Sequence, residues 1–233
     1  MNIAILEDQL KSARENKDIK GELSALRQLG LVCQKNRQLT QAASFLSKAL
    51  TLVEKTGNER DQAVALANLG CVYWEMAQLK KAMTHFHEAL KIQQLTEDVI
   101  GQTAVLTLLG VSHWRKCEWQ AGLSYFQKTL ELQKTHQPKS DEQPDDEAYA
   151  SLFEALERGV QTLQNRVHLG REQHDPLKIL QPLFSMIPLY LFTGRGSEVE
   201  SLLREAGALA EVLHKKDIMD MIPILNEFIR DFL

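Results

Sequence analysis

The feature that most constrains this 233-residue chain is an internal period of forty residues. Residues 21–30 read GELSALRQLG, residues 61–70 read DQAVALANLG and residues 101–110 read GQTAVLTLLG, with no insertion between copies. Self-similarity at a fixed spacing means that each unit covers its apolar face with a neighbouring copy, so the repeat governs every local reading. The correspondence continues through Ala42, Ala82 and Gly122, then Leu46, Phe86 and Phe126, then Ala49, Ala89 and Thr129, then Leu50, Leu90 and Leu130. Steps of three and four between these positions trace one face of a helix, not the alternation of a strand. Each unit is therefore two amphipathic helices, expected in the second unit over about 61–76 and 79–95.

Gly30, Gly70 and Gly110 fall inside the first helices, where each costs roughly 1 kcal/mol relative to Ala. Three such costs at one phase imply close approach by the partner helix, whose small residues Ala42, Ala82 and Gly122 keep a phase of their own. Composition agrees with helices. Aromatics at 6%, twelve Gly and six Pro give little material for the many tight turns of a sandwich or barrel. A formal net charge of −4 offers no electrostatic reason to expect nucleic acid. The longest apolar stretch, residues 183–192, is broken by Ser185 and Pro188 and is too short for membrane insertion. Glu7 and Asp8 interrupt the apolar stretch at the N-terminus, so no signal peptide is read there. Three cysteines without a CxxC pair suggest neither a disulfide framework nor a zinc site, and a reduced, cytoplasmic protein is expected.

Leu66-x-x-Leu69-Gly70-x-x-Tyr73, followed by Ala82-x-x-x-Phe86 and Ala89, resembles the tetratricopeptide repeat. The first unit matches with Leu29-Gly30, Ala42, Leu46 and Ala49 but has Cys33 at the aromatic position. The third has Leu109-Gly110 and Phe126, with His113 and Gly122 as departures. The forty-residue period is longer than the family's usual length of about 34 and is similar to the long-helix variety of the Pins/LGN scaffolds and kinesin light chains. The resemblance covers residues 21–135. It implies an all-α fold, a right-handed α-solenoid of helix-turn-helix repeats whose first helices line a concave surface.

Outside these units the period weakens. Residues 2–16 align forty residues upstream of 45–56, with Ile5, Leu6 and Leu10 matching Phe45, Leu46 and Leu50, and read as an N-terminal cap helix. Residues 136–147 (HQPKSDEQPDDE) break the period with two prolines and five acidic residues; a mobile, protease-sensitive loop ending in a helix N-cap is expected. A long helix over about 146–171 follows, and Asp175-Pro176 opens another. Tyr190, Gly194, Val199, Leu203 and Ala206 recover a faint repeat, and a last helix spans about 217–231. Pro182, Pro188 and Pro223 should kink these apolar helices or mark their first turns. The expected total is eleven helices and no strands. They are divided into a cap-plus-three-repeat array (1–135), a loop (136–147) and C-terminal hairpins with a capping helix (148–233), packed as one continuous solenoid.

Catalytic patterns are missing. His85 and His87 lie two apart on a helix and point about 200° from each other, so they cannot hold one ion. HExxH, GxSxG and the P-loop are absent. Cys33, Cys71 and Cys117 occupy different phases and read as small core or groove residues, while His113, at the place of Tyr73, reads as a buried, hydrogen-bonded histidine. The acidic loop has no enclosed cleft of the kind two-carboxylate chemistry requires. No enzymatic activity, metal or cofactor is expected.

The resemblance implies a partner-binding groove and allows its positions to be carried over singly: Arg27, Gln34, Asn68, Trp74, Glu75, Trp114 and Arg115. A clamp for a C-terminal carboxylate, as in the chaperone-binding members, would fall on Arg27, Leu31, Asn68, Ala104 and Leu108. Only Arg27 and Asn68 suit it, so such a clamp is not expected. Asn68 matches once the repeated asparagines with which Pins/LGN-type scaffolds hold extended ligands. Trp74 and Trp114 stand one repeat apart. They either form adjacent steps for a peptide, as hot-spot aromatics do, or pack between repeats; in the first case at least one indole is accessible. The expected function is a non-catalytic protein–protein interaction scaffold for a peptide or protein partner. The alternative is a self-assembling or sensor protein acting as a homo-oligomer, such as a homodimer through the apolar C-terminal helices.

Overall fold

The repeat acquires its geometry from its turns, which recur every twenty residues. The computed structural model describes residues 3–135 and 146–232. Among these residues there are eleven helices and no strand: α1 (Ile3–Glu15), α2 (Ile19–Lys35), α3 (Leu39–Thr56), α4 (Glu59–Glu75), α5 (Leu79–Leu95), α6 (Val99–Arg115), α7 (Trp119–Thr135), α8 (Asp146–Glu172), α9 (Pro176–Phe192), α10 (Gly196–Val212) and α11 (Lys216–Phe232). The fold is all-α, with consecutive helices packed as hairpins. Lys17, Arg37, Gly57, Ala77, Glu97 and Cys117 end their helices at positive φ, and His174, Gly194 and His214 do the same later in the chain. Around Arg37, Ala77, Cys117 and His174 the chain makes the paired backbone bonds of a Schellman stop; Ala77 N–H donates to the Trp74 carbonyl and Gln78 N–H to that of Tyr73. Only two of these nine left-handed positions are glycine.

Helix starts alternate in kind. Asp18, Asn58 and Asp98, each forty residues from the next, accept the backbone N–H of Gly21, Asp61 and Gly101 at 3.0, 3.2 and 2.9 Å. These caps begin the first helix of each repeat. The Asn58 cap starts α4 at Glu59, two residues before the expected start. The second helices begin after Gln38 and Gln78, which make no side-chain cap. Pro182, Pro188 and Pro223 lie inside α9 and α11, not in their first turns. The expected mobile loop falls largely on residues 136–145, outside the described residues.

The chain divides into two compact units, Met1–Leu108 with Leu132–Leu152, and Leu109–Glu131 with Phe153–Leu233. In the first, Leu6 and Leu10 of α1 join Ala25, Leu26, Leu29 and Ala49 in one apolar cluster, as the forty-residue alignment of the cap helix requires. A second cluster holds Cys33, Ala42, Leu46, Leu69 and Val72. The repeat glycines belong to this packing. A Cβ on Gly30 would stand 2.6 Å from Leu46, and one on Gly70 would stand 2.8 Å from the Phe86 ring and 3.2 Å from the Ala82 carbonyl. In the second unit a Cβ on Gly110 would meet the Phe126 ring. The absent side chain therefore makes room chiefly for the large residue of the partner helix, with its small residue one turn away a lesser neighbour.

His113 is accounted for in the same way. Tyr73 stacks on His85 with centroids 5.5 Å apart, and His113 stacks on Tyr125 at 5.2 Å. The two repeats carry the same ring pair with its members exchanged between helices. His113 is also tied through Nδ1 to Glu118 Oε2 at 2.6 Å. Hydrogen bonds to Lys116 and His113 hold the Glu118 carboxyl below its ordinary range.

Two glycine substitutions separate packing from backbone strain. Gly70→Leu should lower stability by about 1–3 kcal/mol, because the fully buried Phe86 has nowhere to move. Gly57 has open space around it but a φ of 72°, so Gly57→Ala should cost about 1–2 kcal/mol through the backbone alone. Urea denaturation of both variants checks these values. An unchanged Gly70→Leu midpoint would remove the close-approach account.

Candidate functional site

Positions that should line a groove are best judged by comparing equivalent first helices. On α2, Ser24 is exposed and Arg27, Gln28 and Leu31 are half-buried. Forty residues on, Val64, Ala67, Asn68 and Cys71 are all buried, and α4 is buried without interruption from Ala63 to Val72. On α6 within the same unit, Ala104, Thr107 and Leu108 are buried as well. The same phases are thus open on α2 and closed from α4 onward.

The start of α8 meets this face of α4 at Asn68 and Cys71. Ser151 Oγ–H donates to Asn68 Oδ1 at 2.5 Å, and Cys71 Sγ–H points to the Ser151 carbonyl at 3.7 Å. Tyr149 donates its hydroxyl proton to Asp98 Oδ2 and accepts from Gln93 Nε2 at 3.2 Å. Its ring tip lies in the notch left by Gly101, where a Cβ would stand 2.5 Å from the Tyr149 oxygen. Burial, then the Asp98 carboxylate, push the Tyr149 phenol well up, which keeps it a donor.

Two of the expected groove residues form a polar brace between α2 and α4. Gln34 Nε2 donates to Glu75 Oε1 at 2.6 Å, and Arg37 Nη1 donates to Glu75 Oε2 at 2.5 Å. Gln34 is buried, and the Glu75 side chain is only 2% exposed. Arg37 was invisible to the repeat comparison because it sits in a turn. Tyr149 and Ser151 carry no repeat signal, because α8 lies outside the period. Asp98 carried a signal, as the third of the periodic caps.

The accessible indole expected in the groove is not found. Trp74 is 3% exposed and Trp114 is 0% exposed. In the second unit Trp114 stacks on Phe184 with centroids 5.3 Å apart, meets Trp119 edge-on at 5.0 Å and lies 5.9 Å from Phe126. Its Nε1–H donates to the Phe184 carbonyl at 3.2 Å. That carbonyl is four residues before Pro188, whose missing N–H leaves it without a helical donor. A buried indole needs an acceptor, and the proline supplies one. Arg115 is half-buried, and burial followed by the like charge of Arg166 lowers its guanidinium pKa.

Burial pushes the Cys33 thiol up, and none of the three cysteines forms a disulfide. Among the described residues no group of three or more His, Cys, Asp or Glu is placed to hold a metal ion, and no helix is long and apolar enough to cross a membrane.

The sequence model of the tetratricopeptide repeat family matches residues 21–94. No curated protein matches the chain. Among solved structures, BtubC (BKLC) from P. vanneervenii is similar in fold, with a TM-score of 0.52 at 14% identity over 98% of this chain and 89% of that one. The nearly identical TPR-like repeats of a Podosopora anserina protein named as a kinesin light chain match with a TM-score of 0.45 at 17% identity, over 82% of this chain and 96% of that one. The family match and the BtubC similarity, together with the eleven helices among the described residues, make the fold TPR-like.

Truncating the buried indole should be a stability event. Trp114→Ala is expected to cost about 3–5 kcal/mol, as for large core aromatics. Trp114→Phe, which keeps a ring but orphans the Phe184 carbonyl, should cost about 1–3 kcal/mol. Thermal melts with iodide quenching check this; strong quenching of the Trp114 emission in a Trp74→Phe/Trp119→Phe background would contradict the buried site.

Proposed function

We propose that this chain is a non-catalytic protein-interaction scaffold that takes a peptide or protein segment on the groove phases of its first unit. One observation carries the reading. Ser24, Arg27, Gln28 and Leu31 stay at least partly open on α2, while the equivalent residues of α4 are buried and two of them, Asn68 and Cys71, bond to a helical segment of the same chain. A face of this chain therefore already receives a helix, and its neighbour one repeat away is open. The brace Gln34–Glu75–Arg37 fixes α2 against α4, so the open face is preorganised and little ordering entropy is lost on binding. Arg27 and Gln28 supply donors, and Leu31 supplies apolar area. The free cysteines fit a cytoplasmic setting.

The test is selection of helical and extended peptides on the intact protein by display, followed by titration against variants. Arg27→Glu and Leu31→Glu should each weaken a selected peptide by about tenfold or more, as loss of a central contact does, while melting temperature stays near wild type. Selected peptides that bind both variants unchanged would sink the assignment to this face. A homodimer through the C-terminal helices is the second reading, favoured by Met219 and Ile224, both exposed on α11. A sedimentation coefficient independent of concentration would remove it.

A further inference from the structure

The start of α8, itself part of the first unit, contacts α4 in a way that ordinary stacking does not require. Repeats stack at roughly 10 Å, the spacing of packed helices, and α4 and α8 are separated in the chain by three intervening helices. Yet Ser151 reaches Asn68 at 2.5 Å. Ten residues lie between α7 and α8, against two or three at every other turn, so the chain length allows α8 to leave the register of the repeat.

Tyr149 and Ser151 also bond to different elements. Residues two apart on a helix point about 200° from each other. One bonds to Gln93 near the end of α5 and to Asp98 in the α5–α6 turn, and the other bonds to Asn68 on α4. The helix is therefore flanked on both sides, seated in a groove and not laid on a surface. Ala148 and Leu152 are buried beneath it, while Ala150 and Phe153 face outward.

The fit is incomplete. Asn68 Nδ2 and Gln93 Oε1 are fully buried without a hydrogen-bond partner, although each residue bonds to the segment through its other amide atom. An unmade bond at a buried amide is expensive, and both unmade bonds belong to the residues that grip α8.

From this we infer that the groove between α4 and the α5–α6 turn is a recognition site for a helical segment bearing a Tyr-x-Ser hydroxyl pair, and that residues 148–152 are its resident occupant in cis. A partner helix with the same pair, and with a donor for Gln93 Oε1 and an acceptor for Asn68 Nδ2, displaces it. Displacement extends the open face from α2 across α4. The partner in this inference rests on the scaffold reading above; the opening of α8 does not.

Amide hydrogen exchange on the full chain tests the opening. The amides of residues 150–156, beyond the free first turn of α8, should exchange through a local opening faster than those of α4 and α5. Tyr149→Phe should accelerate them by about tenfold, the loss expected for a hydrogen bond to a charged group, with α2–α5 unchanged. A labelled peptide copying residues 146–160 should bind the Tyr149→Phe protein at least tenfold more tightly than wild type, and the same peptide carrying Ser151→Ala should bind more weakly. Exchange of residues 150–156 only together with α4 and α5, in both proteins, would overturn the inference. So would failure of the peptide to bind the Tyr149→Phe protein. Local opening without any peptide selected on the α2 face would instead count against the scaffold reading alone.

Discussion

The first and second helices of each repeat meet where a glycine faces a large apolar side chain, and most of the molecule depends on that contact. At Gly30 and Gly70 the missing Cβ admits Leu46 and Phe86, both fully buried. Burying a side chain of this size contributes about 1.5–3 kcal/mol, more than the roughly 1 kcal/mol that a mid-helix glycine costs. The exchange favours the glycine, and it fixes how the two helices cross. With that crossing fixed, three- or two-residue turns suffice, and a left-handed stop can recur every twenty residues even where the residue is Lys, Ala, Glu or His.

The same economy of space explains the aromatic arrangement of the second unit. Trp114 stands at a phase that the repeat resemblance assigns to a groove. It is instead enclosed by Phe184, Trp119 and Phe126, with its N–H satisfied by a carbonyl that a helix-interior proline has released. The proline and the indole compensate for each other. Neither would be well placed alone, since Pro188 forfeits a helical bond and a buried N–H without an acceptor is costly.

In the first unit polar groups do the corresponding work. Gln34, Arg37 and Glu75 tie successive first helices together, and Asn68, Gln93 and Asp98 hold the start of α8. Buried polar contacts of this kind set position more sharply than apolar packing does, because a small displacement leaves charges or dipoles unpaired. They tie α2 to α4 and hold a segment of α8 on α4, the arrangement on which the proposed interaction role rests.

Much of this was legible in the sequence. The forty-residue phase gave the helix pairs, the cap helix α1 and the need for glycine at residues 30, 70 and 110, since periodicity in a local contact repeats wherever the contact does. The caps at Asp18, Asn58 and Asp98 carry the same period and could have been read from it. The groove was different. Asn68, Trp74 and Trp114 stand at phases where the resemblance implies a groove, yet all three are buried. Phase relates a residue only to its own helix and to equivalent helices beside it. What covers that phase depends here on segments outside the period, on α8 where Asn68 meets Ser151 across 83 residues and on α9 where Trp114 meets Phe184 across 70. The sequence by itself determined the repeat, the helices and their inward faces, because those follow from interactions within one or two turns or one repeat. Only the tertiary structure decided which outward faces remain open, because that depends on where a segment without repeat symmetry comes to rest.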